Sequence, residues 1–240
     1  MKNKCVLITG SGRGIGADIA ISFAKEGYNV VINYNQSYEK ALLIKNEISK
    51  YNVDSLIIKA DISKENEVKT LIDKIVDKFG NLDVVVNNAA IARDNYLEYK
   101  SVDEFREVIN VNLVGTFIVS KYASKIMNNG SIINISSTNG IDTLNEYSMD
   151  YDASKSGVIS LTKNLAKALP NIRINCVCPG WINTDDVLNM NPDIIEEEKK
   201  KIIMNRFGNS EEVANVVCFL ASDKASYING SIIRVDGGVK

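Results

Sequence analysis

The chain contains no histidine among its 240 residues. Ser-His-Asp and Cys-His catalysis are thereby excluded, and proton chemistry is left to Tyr, Lys, Asp, Glu, Ser or Cys. Cysteine is scarce: Cys5, Cys176, Cys178 and Cys218 all sit inside apolar runs. With no imidazole and no second thiol pair near Cys176 and Cys178, no metal site is expected, and the four read as small buried hydrophobes. Neither sign of charge is in excess. The 28 basic and 30 acidic residues are interspersed, with a formal charge of -2, so the chain lacks the basic footprint of a nucleic-acid binder. It also lacks any run of about 18 apolar residues, which a membrane-spanning helix needs. MKNKCVLIT passes straight from a short apolar run into a glycine-rich segment, which fits a first strand rather than a secretory signal. A cytoplasmic protein without a membrane anchor is the expectation.

What the chain does have is a regular alternation. Short β-branched runs (CVLIT, VVINY, SLIIKAD, LDVVVNNAA, SIINISS, IRINCVCPG, SIIRVDGG) are separated by segments of helical period, the longest being VDEFREVINVNLVGTFIVSKYASKIM over residues 102–127. Strand and helix repeated in this way predict an α/β fold: one Rossmann-type, doubly wound domain over residues 1–240, with a seven-stranded parallel sheet and helices on both faces. At 45% hydrophobic content the chain is long enough to bury such a core. Residues 183–206 are polar and weakly periodic and read as an excursion over the strand ends, a candidate substrate lid.

Directly after the first strand comes TGSGRGIG, followed by a helical pattern. Glycines at a strand-to-helix turn let the backbone approach a pyrophosphate, which then rests on the helix N-terminal amides. Gly10, Ser11, Arg13, Gly14, Ile15 and Gly16 are therefore candidate cofactor contacts. The second strand ends in Asn33, Tyr34, Asn35 and Gln36, with no carboxylate for a ribose 2'-hydroxyl, while Arg13 offers a cation for a 2'-phosphate. NADP(H) is expected in preference to NAD(H). Asp61, followed by Ile62, ends the third strand where it could accept from the adenine amino group, or equally cap the next helix. Asn88 and Ala89 end the fourth strand, and Pro179, Gly180, Ile182 and Thr184 follow the sixth, placed for the nicotinamide.

Delivering hydride to a ketone leaves an alkoxide that needs a positioned acid. A tyrosine with a lysine at i+4 suits this, because the two share a helix face and an ammonium favours the phenolate. The spacing is loose: with ten tyrosines in a lysine-rich chain, chance alone supplies roughly one. Tyr96 and Lys100 lie in a short polar stretch, and Tyr96 is read as surface. Tyr151 and Lys155 open a long amphipathic helix after the strand SIINISS, and they are the pair assigned to catalysis and also to cofactor contact. Ser137 at that strand's tip is placed to donate to the substrate carbonyl, with Ser136 the alternative on the opposite face. Asn112, within the 102–127 helix, could hold a water linking Lys155 to solvent; the same argument would fit Asn110.

TGSGRGIG, NNAA, Asn112, Ser137, YDASK and PGWINT, taken in order, resemble the successive motifs of the short-chain dehydrogenase/reductase family over nearly the whole chain. The resemblance implies an NAD(P)-dependent, metal-free oxidoreductase, usually a homotetramer. Within the family, NNAAIARDN, NYNQS and the C-terminal RFGNSEEVANVVCFLASDKASYINGSIIRVDGG look most like bacterial 3-oxoacyl-acyl-carrier-protein reductases. This implies an acyl-thioester substrate and docking of an acyl carrier protein, the alternative being a small free alcohol, sugar or ketone. Three features depart from that pattern: Ala90 where glycine is usual, Asn128 and Asn129 where carrier-docking basic residues are often found, and a Ser137-to-Tyr151 interval one residue longer than is common.

Overall fold

The computed structural model describes residues 3–184, 187 and 190–239. Its elements in chain order are β1 (Cys5–Ile8), α1 (Gly14–Lys25), β2 (Asn29–Tyr34), α2 (Tyr38–Ile48), β3 (Ser55–Lys59), α3 (Glu65–Phe79) and β4 (Val84–Asn87). There follow α4 (Val102–Ile109), α5 (Gly115–Ala123), β5 (Gly130–Ile135), α6 (Met149–Ala168), β6 (Ile172–Pro179) and β7 (Ile182–Asn183). The last are α7 (Pro192–Lys200), β8 (Gly208–Asn209), α8 (Ser210–Ala221) and β9 (Ile232–Val235).

Strands with a two-residue side-chain period can bury both faces only if helices cover both. β1 shows this directly: all four of its residues are fully buried. Val6 and Ile8 pack with Ile19 and Phe23 of α1 and with α8, whereas Cys5 and Leu7 pack with Leu71 and Ile75 of α3 and Val119 of α5. The seven-stranded sheet has the order β3-β2-β1-β4-β5-β6-β9 with every pairing parallel, as the alternation predicts. The order reverses between β1 and β4, so a crevice opens beyond their carboxyl ends, where ligands bind in sheets of this kind.

Two features depart from the sequence expectation. The 102–127 segment is not one uniform helix: α4, opened by a Ser101–Glu104 capping box, passes through a π-helical turn at Asn110–Val114 into α5, which stops at Ala123. Such a turn accommodates an extra residue and often marks a functional position; here it turns Asn112 inward, where it is 1% exposed. The 183–206 excursion is partly regular, with β7 and β8 forming a two-stranded parallel sheet and α7 between them. Trp181 ties α7 down by donating to Glu198 at 3.1 Å and stacking on Phe207. Residues 185, 186, 188 and 189 of this expected lid lie outside the described residues.

Beneath the crevice a buried polar ladder crosses the middle of the sheet. Asn87 donates to Ser120 at 3.0 Å and to Asn134 at 2.8 Å, and Asn134 donates to Thr162 at 2.9 Å. These bonds join β4, α5, β5 and α6 side chain to side chain. Buried amides are costly unless paired, so the ladder fixes the relative placement of the elements that carry the site.

Candidate active site

The glycine turn is built by bracing from behind. Gly10 has φ +64°, and a Cβ on it would stand 2.8 Å from the Cα of Ala89, so only glycine fits between the turn and the end of β4. Asn33 is 2% exposed; it accepts from the Gly10 N–H at 3.2 Å and donates to the Ala60 carbonyl at 3.0 Å. Asn88 donates to the carbonyls of Thr9 and Gly10 at 3.0 and 3.1 Å, and Ser11 caps the Ile8 carbonyl at 2.9 Å. Three of the expected cofactor contacts, Ser11, Asn33 and Asn88, thus have polar side chains that hold the turn in shape.

In front of them, α1 starts with exposed Arg13 at its N-cap in extended backbone, then Gly14, Ile15 and Gly16. The amides of that first turn have no intrahelical partner and suit an anion. The far side of the crevice comes from β6, which ends at Pro179. Gly180 is fixed to the Val235 carbonyl at 3.0 Å, Ile182 is buried, and the methyl of Thr184 stands 3.6 Å from where a Gly14 Cβ would be. Tyr34 leans on Tyr38 at the end of β2. Asp61 does not cap α3, whose N-cap is Lys64; it closes a turn ahead of the helix, where one carboxylate oxygen accepts from the N–H and hydroxyl of Ser63 and the other faces Lys64 at 3.6 Å. Burial raises its pKa, but the Ser63 bonds and Lys64 prevail and hold it below the ordinary carboxylate value. Ile62 buries its side chain against Gly115. A Cβ at Gly10 or Gly16 would run into Ala89 or Asn88, so only glycine lets the turn close against the end of β4, and the bare backbone this leaves at the crevice suits the close approach of a dinucleotide.

At the other end of the crevice, the i, i+4 spacing places the Lys155 ammonium 5.4 Å from the centre of the Tyr151 ring. Lys155 is 3% exposed and donates to the Ile135 carbonyl at 2.9 Å. Burial lowers its pKa to about 8. Burial likewise pushes the Tyr151 phenol up to about 12, with the neighbouring Ser137 hydroxyl opposing and Asp152 and Asp94 adding to the rise. Desolvation disfavours the charged form of both groups and so works against the expected pull of the ammonium on the phenol. Ser137 is the serine beside the phenol, while Ser136 donates to the Lys155 backbone carbonyl at 2.8 Å. The short 3-10 turn after them, Thr138–Gly140, presses so closely on α6 that a Cβ at Gly140 would lie 2.7 Å from the Lys155 carbonyl carbon.

The Asn112 amide, expected to hold a water, spends three of its four hydrogen-bonding positions within the protein. It accepts from the Ile91 N–H at 2.8 Å and donates to the Ile91 carbonyl at 2.9 Å and to Ser154 at 3.0 Å. The amide pins the chain after β4 to α6, one residue before Lys155. Sequence reasoning missed a further layer. Lys100, from the other Tyr-x-x-x-Lys match, is buried and pairs with fully buried Asp150 at 2.8 Å, and Asp150 accepts from the Tyr151 N–H at 2.9 Å. Tyr96 is exposed, edge-on to Tyr147. The signal for Lys100 was its spacing, set aside because nothing in the sequence shows that a lysine is buried.

A parallel sheet with a glycine turn at its switch point, and a Tyr-Lys-Ser cluster at the same carboxyl edge, defines a dinucleotide-dependent oxidoreductase. The comparisons agree. Residues 10–240 match the family described as Enoyl-(Acyl carrier protein) reductase. The chain is 44% identical over 241 residues to a 3-oxoacyl-acyl-carrier-protein reductase of Staphylococcus aureus, covering 98% of each. It is 39% identical over 256 residues to the enzyme of that name from Thermotoga maritima, covering 100% of this chain and 98% of that one. Among solved structures, a short-chain dehydrogenase/reductase of Serratia marcescens superposes with a TM-score of 0.94 at 33% identity, covering 99% and 98%. The chain belongs to the short-chain dehydrogenase/reductase family and is an NAD(P)-dependent oxidoreductase acting on ketone and hydroxyl groups. Among the described residues, no helix is long and apolar enough to cross a membrane.

Proposed function

We propose that the protein is a cytosolic NADPH-dependent reductase that converts the ketone of a 3-oxoacyl thioester into a secondary alcohol. One observation carries the chemistry: the Tyr151 phenol lies against the ammonium of buried Lys155, with Ser137 beside its hydroxyl. Bound in the crevice, the cofactor supplies the hydride. Ser137 donates to the ketone oxygen and Tyr151 gives it a proton, the two donors together fixing the carbonyl and meeting the charge that develops on it. Lys155 then faces a phenolate, which draws on its positive charge. Asn112 acts as a positioning residue, through Ile91 and Ser154. Reduction uses the phenol as an acid and alcohol oxidation uses the phenolate as a base, so the rate of oxidation grows as pH rises toward the phenol's midpoint.

The names carried by the relatives support the 3-oxoacyl thioester, with acyl carrier protein as the donor of the acyl group. The exposed apolar side chains Val102 and Phe105 on α4, Val114 on the π-helical turn and Phe117 on α5 support a homotetramer. The test is NADPH oxidation with an acetoacetyl thioester, run against a crotonyl thioester and a panel of free ketones. Turnover of the acetoacetyl thioester alone is expected. Preference for the crotonyl thioester would mean reduction of a carbon–carbon double bond, and turnover of free ketones alone would mean a small-molecule dehydrogenase; either outcome defeats the proposal.

Preference for NADPH rests on Arg13 at the mouth of the crevice and on the first turn of α2. There Lys40 Cβ lies 3.8 Å from where a Gly12 Cβ would stand, and β2 ends without a carboxylate. A charge-assisted contact to a 2'-phosphate is worth about 1.5–3 kcal/mol. Arg13→Ala is therefore expected to weaken NADPH binding about tenfold or more and leave NADH binding unchanged, as read by fluorescence titration with each cofactor. Equal weakening of both would remove Arg13 from the discrimination.

A further inference from the structure

Asp152 follows Tyr151 directly and is 8% exposed, yet it takes no part in the chemistry above. Its carboxylate accepts from the Asn145 N–H at 2.9 Å, from Ser148 at 3.3 Å and from the side-chain amide nitrogen of Asn139 at 2.8 Å. The first two bonds tie the lengthened 138–148 segment to α6. The third determines which way Asn139 faces. An ionised carboxylate only accepts, so the Asn139 NH2 must point to Asp152 and its oxygen must point away. That oxygen lies 3.2 Å from Ser137 Oγ, while the Asn139 N–H donates to the same Oγ at 3.2 Å. The Ser137 hydroxyl therefore has its proton on Asn139, and the lone pair that remains is the part of it open to Tyr151.

We propose that Asn139 and Asp152 are positioning residues that hold the Ser137 proton away from Tyr151, so that the phenol rests as a donor to Ser137 and stays ready to protonate a substrate. This rests on the reading of Tyr151 as the proton donor. When a ketone oxygen acquires negative charge, it becomes a stronger acceptor than a neutral amide oxygen, and the Ser137 proton turns from Asn139 to the substrate. Both donors then point at the same oxygen. The arrangement withholds from a phenolate the hydrogen bond that would stabilise it, and so favours the acid form.

The titratable and charged groups around Tyr151 are Asp152, Asp150 and Lys155 on α6, Asp94 after β4, Lys100 before α4 and Cys178 on β6. Asn139→Ala changes none of these charges. It frees the Ser137 proton to bond the phenolate, and a hydrogen bond to a charged group is worth about one pH unit or somewhat more. The pH midpoint of alcohol oxidation, followed as kcat/KM, should fall by about one unit in Asn139→Ala. It should fall at least as far in Asp152→Asn, which also loses a negative charge beside the phenol. The ultraviolet phenolate titration of the full-length chain, each variant taken as a difference from the same variant carrying Tyr151→Phe, should move in step. An unchanged midpoint in Asn139→Ala overturns the proposal, and a fall confined to Asp152→Asn overturns it too, since the carboxylate would then act by charge alone. If Asn139→Ala does not fold, Asn139→Val serves, having no acceptor. The phenolate titration needs no substrate, so it stays informative should the thioester assignment fail.

Discussion

Tyr151→Phe should lower kcat for ketone reduction by about 10^2- to 10^4-fold, the range typical of losing a positioned general acid, while cofactor binding and thermal stability stay close to those of the parent. Phe keeps the ring over Lys155 and removes only the hydroxyl. Ser137 keeps its bonds to Asn139. The loss should therefore fall on kcat with little change in KM, the pattern of an interaction made in the transition state. Unchanged turnover would take Tyr151 out of the reaction.

Lys155→Met should lose activity by about 10^2-fold or more, because the phenolate loses its counter-charge, and yet should make the protein more stable. The Lys155 pKa is lowered by burial from 10.5 to about 8 in the folded protein, so the ammonium at neutral pH costs on the order of 3 kcal/mol. For a group with a depressed folded pKa, stability is fully present above the unfolded value of 10.5, falls as pH drops from 10.5 to about 8, and is level below. The variant lacks that slope. Its advantage should be largest at neutral pH and vanish above the unfolded value. Loss of the bond to the Ile135 carbonyl offsets about 1 kcal/mol, leaving an expected gain in Tm on the order of 5 °C at pH 7. Calorimetry across pH checks this; a Tm lowered at all pH values would mean that Lys155 holds the fold together rather than burdening it.

Much of this arrangement is legible in the sequence, because it is local. The turn at Gly10 sits where a β-branched run meets a helical period, and the face shared by Tyr151 and Lys155 follows from a spacing of four. Ser137 could be told from Ser136 only in space, since both end the same strand and the difference lies in whether α6 or the crevice receives the hydroxyl. The π-turn at Asn110–Val114 keeps the apolar period of its neighbours, so the pattern shows one helix where the backbone widens. Lys100 reads as a surface lysine until Asp150, far along the chain, is found beside it. The opposed pKa shifts of Tyr151 and Lys155 are the clearest case: spacing reveals that two groups are neighbours, but their desolvation depends on everything packed around them.

The most direct test of this account is a crystal structure of the protein with NADP and a 3-hydroxyacyl thioester. The Tyr151 and Ser137 hydroxyls should both lie within hydrogen-bond distance of the substrate oxygen, with the nicotinamide ring between that substrate and the Gly10 turn. A Tyr151 hydroxyl turned away from the crevice, or a dinucleotide seated elsewhere, would contradict it.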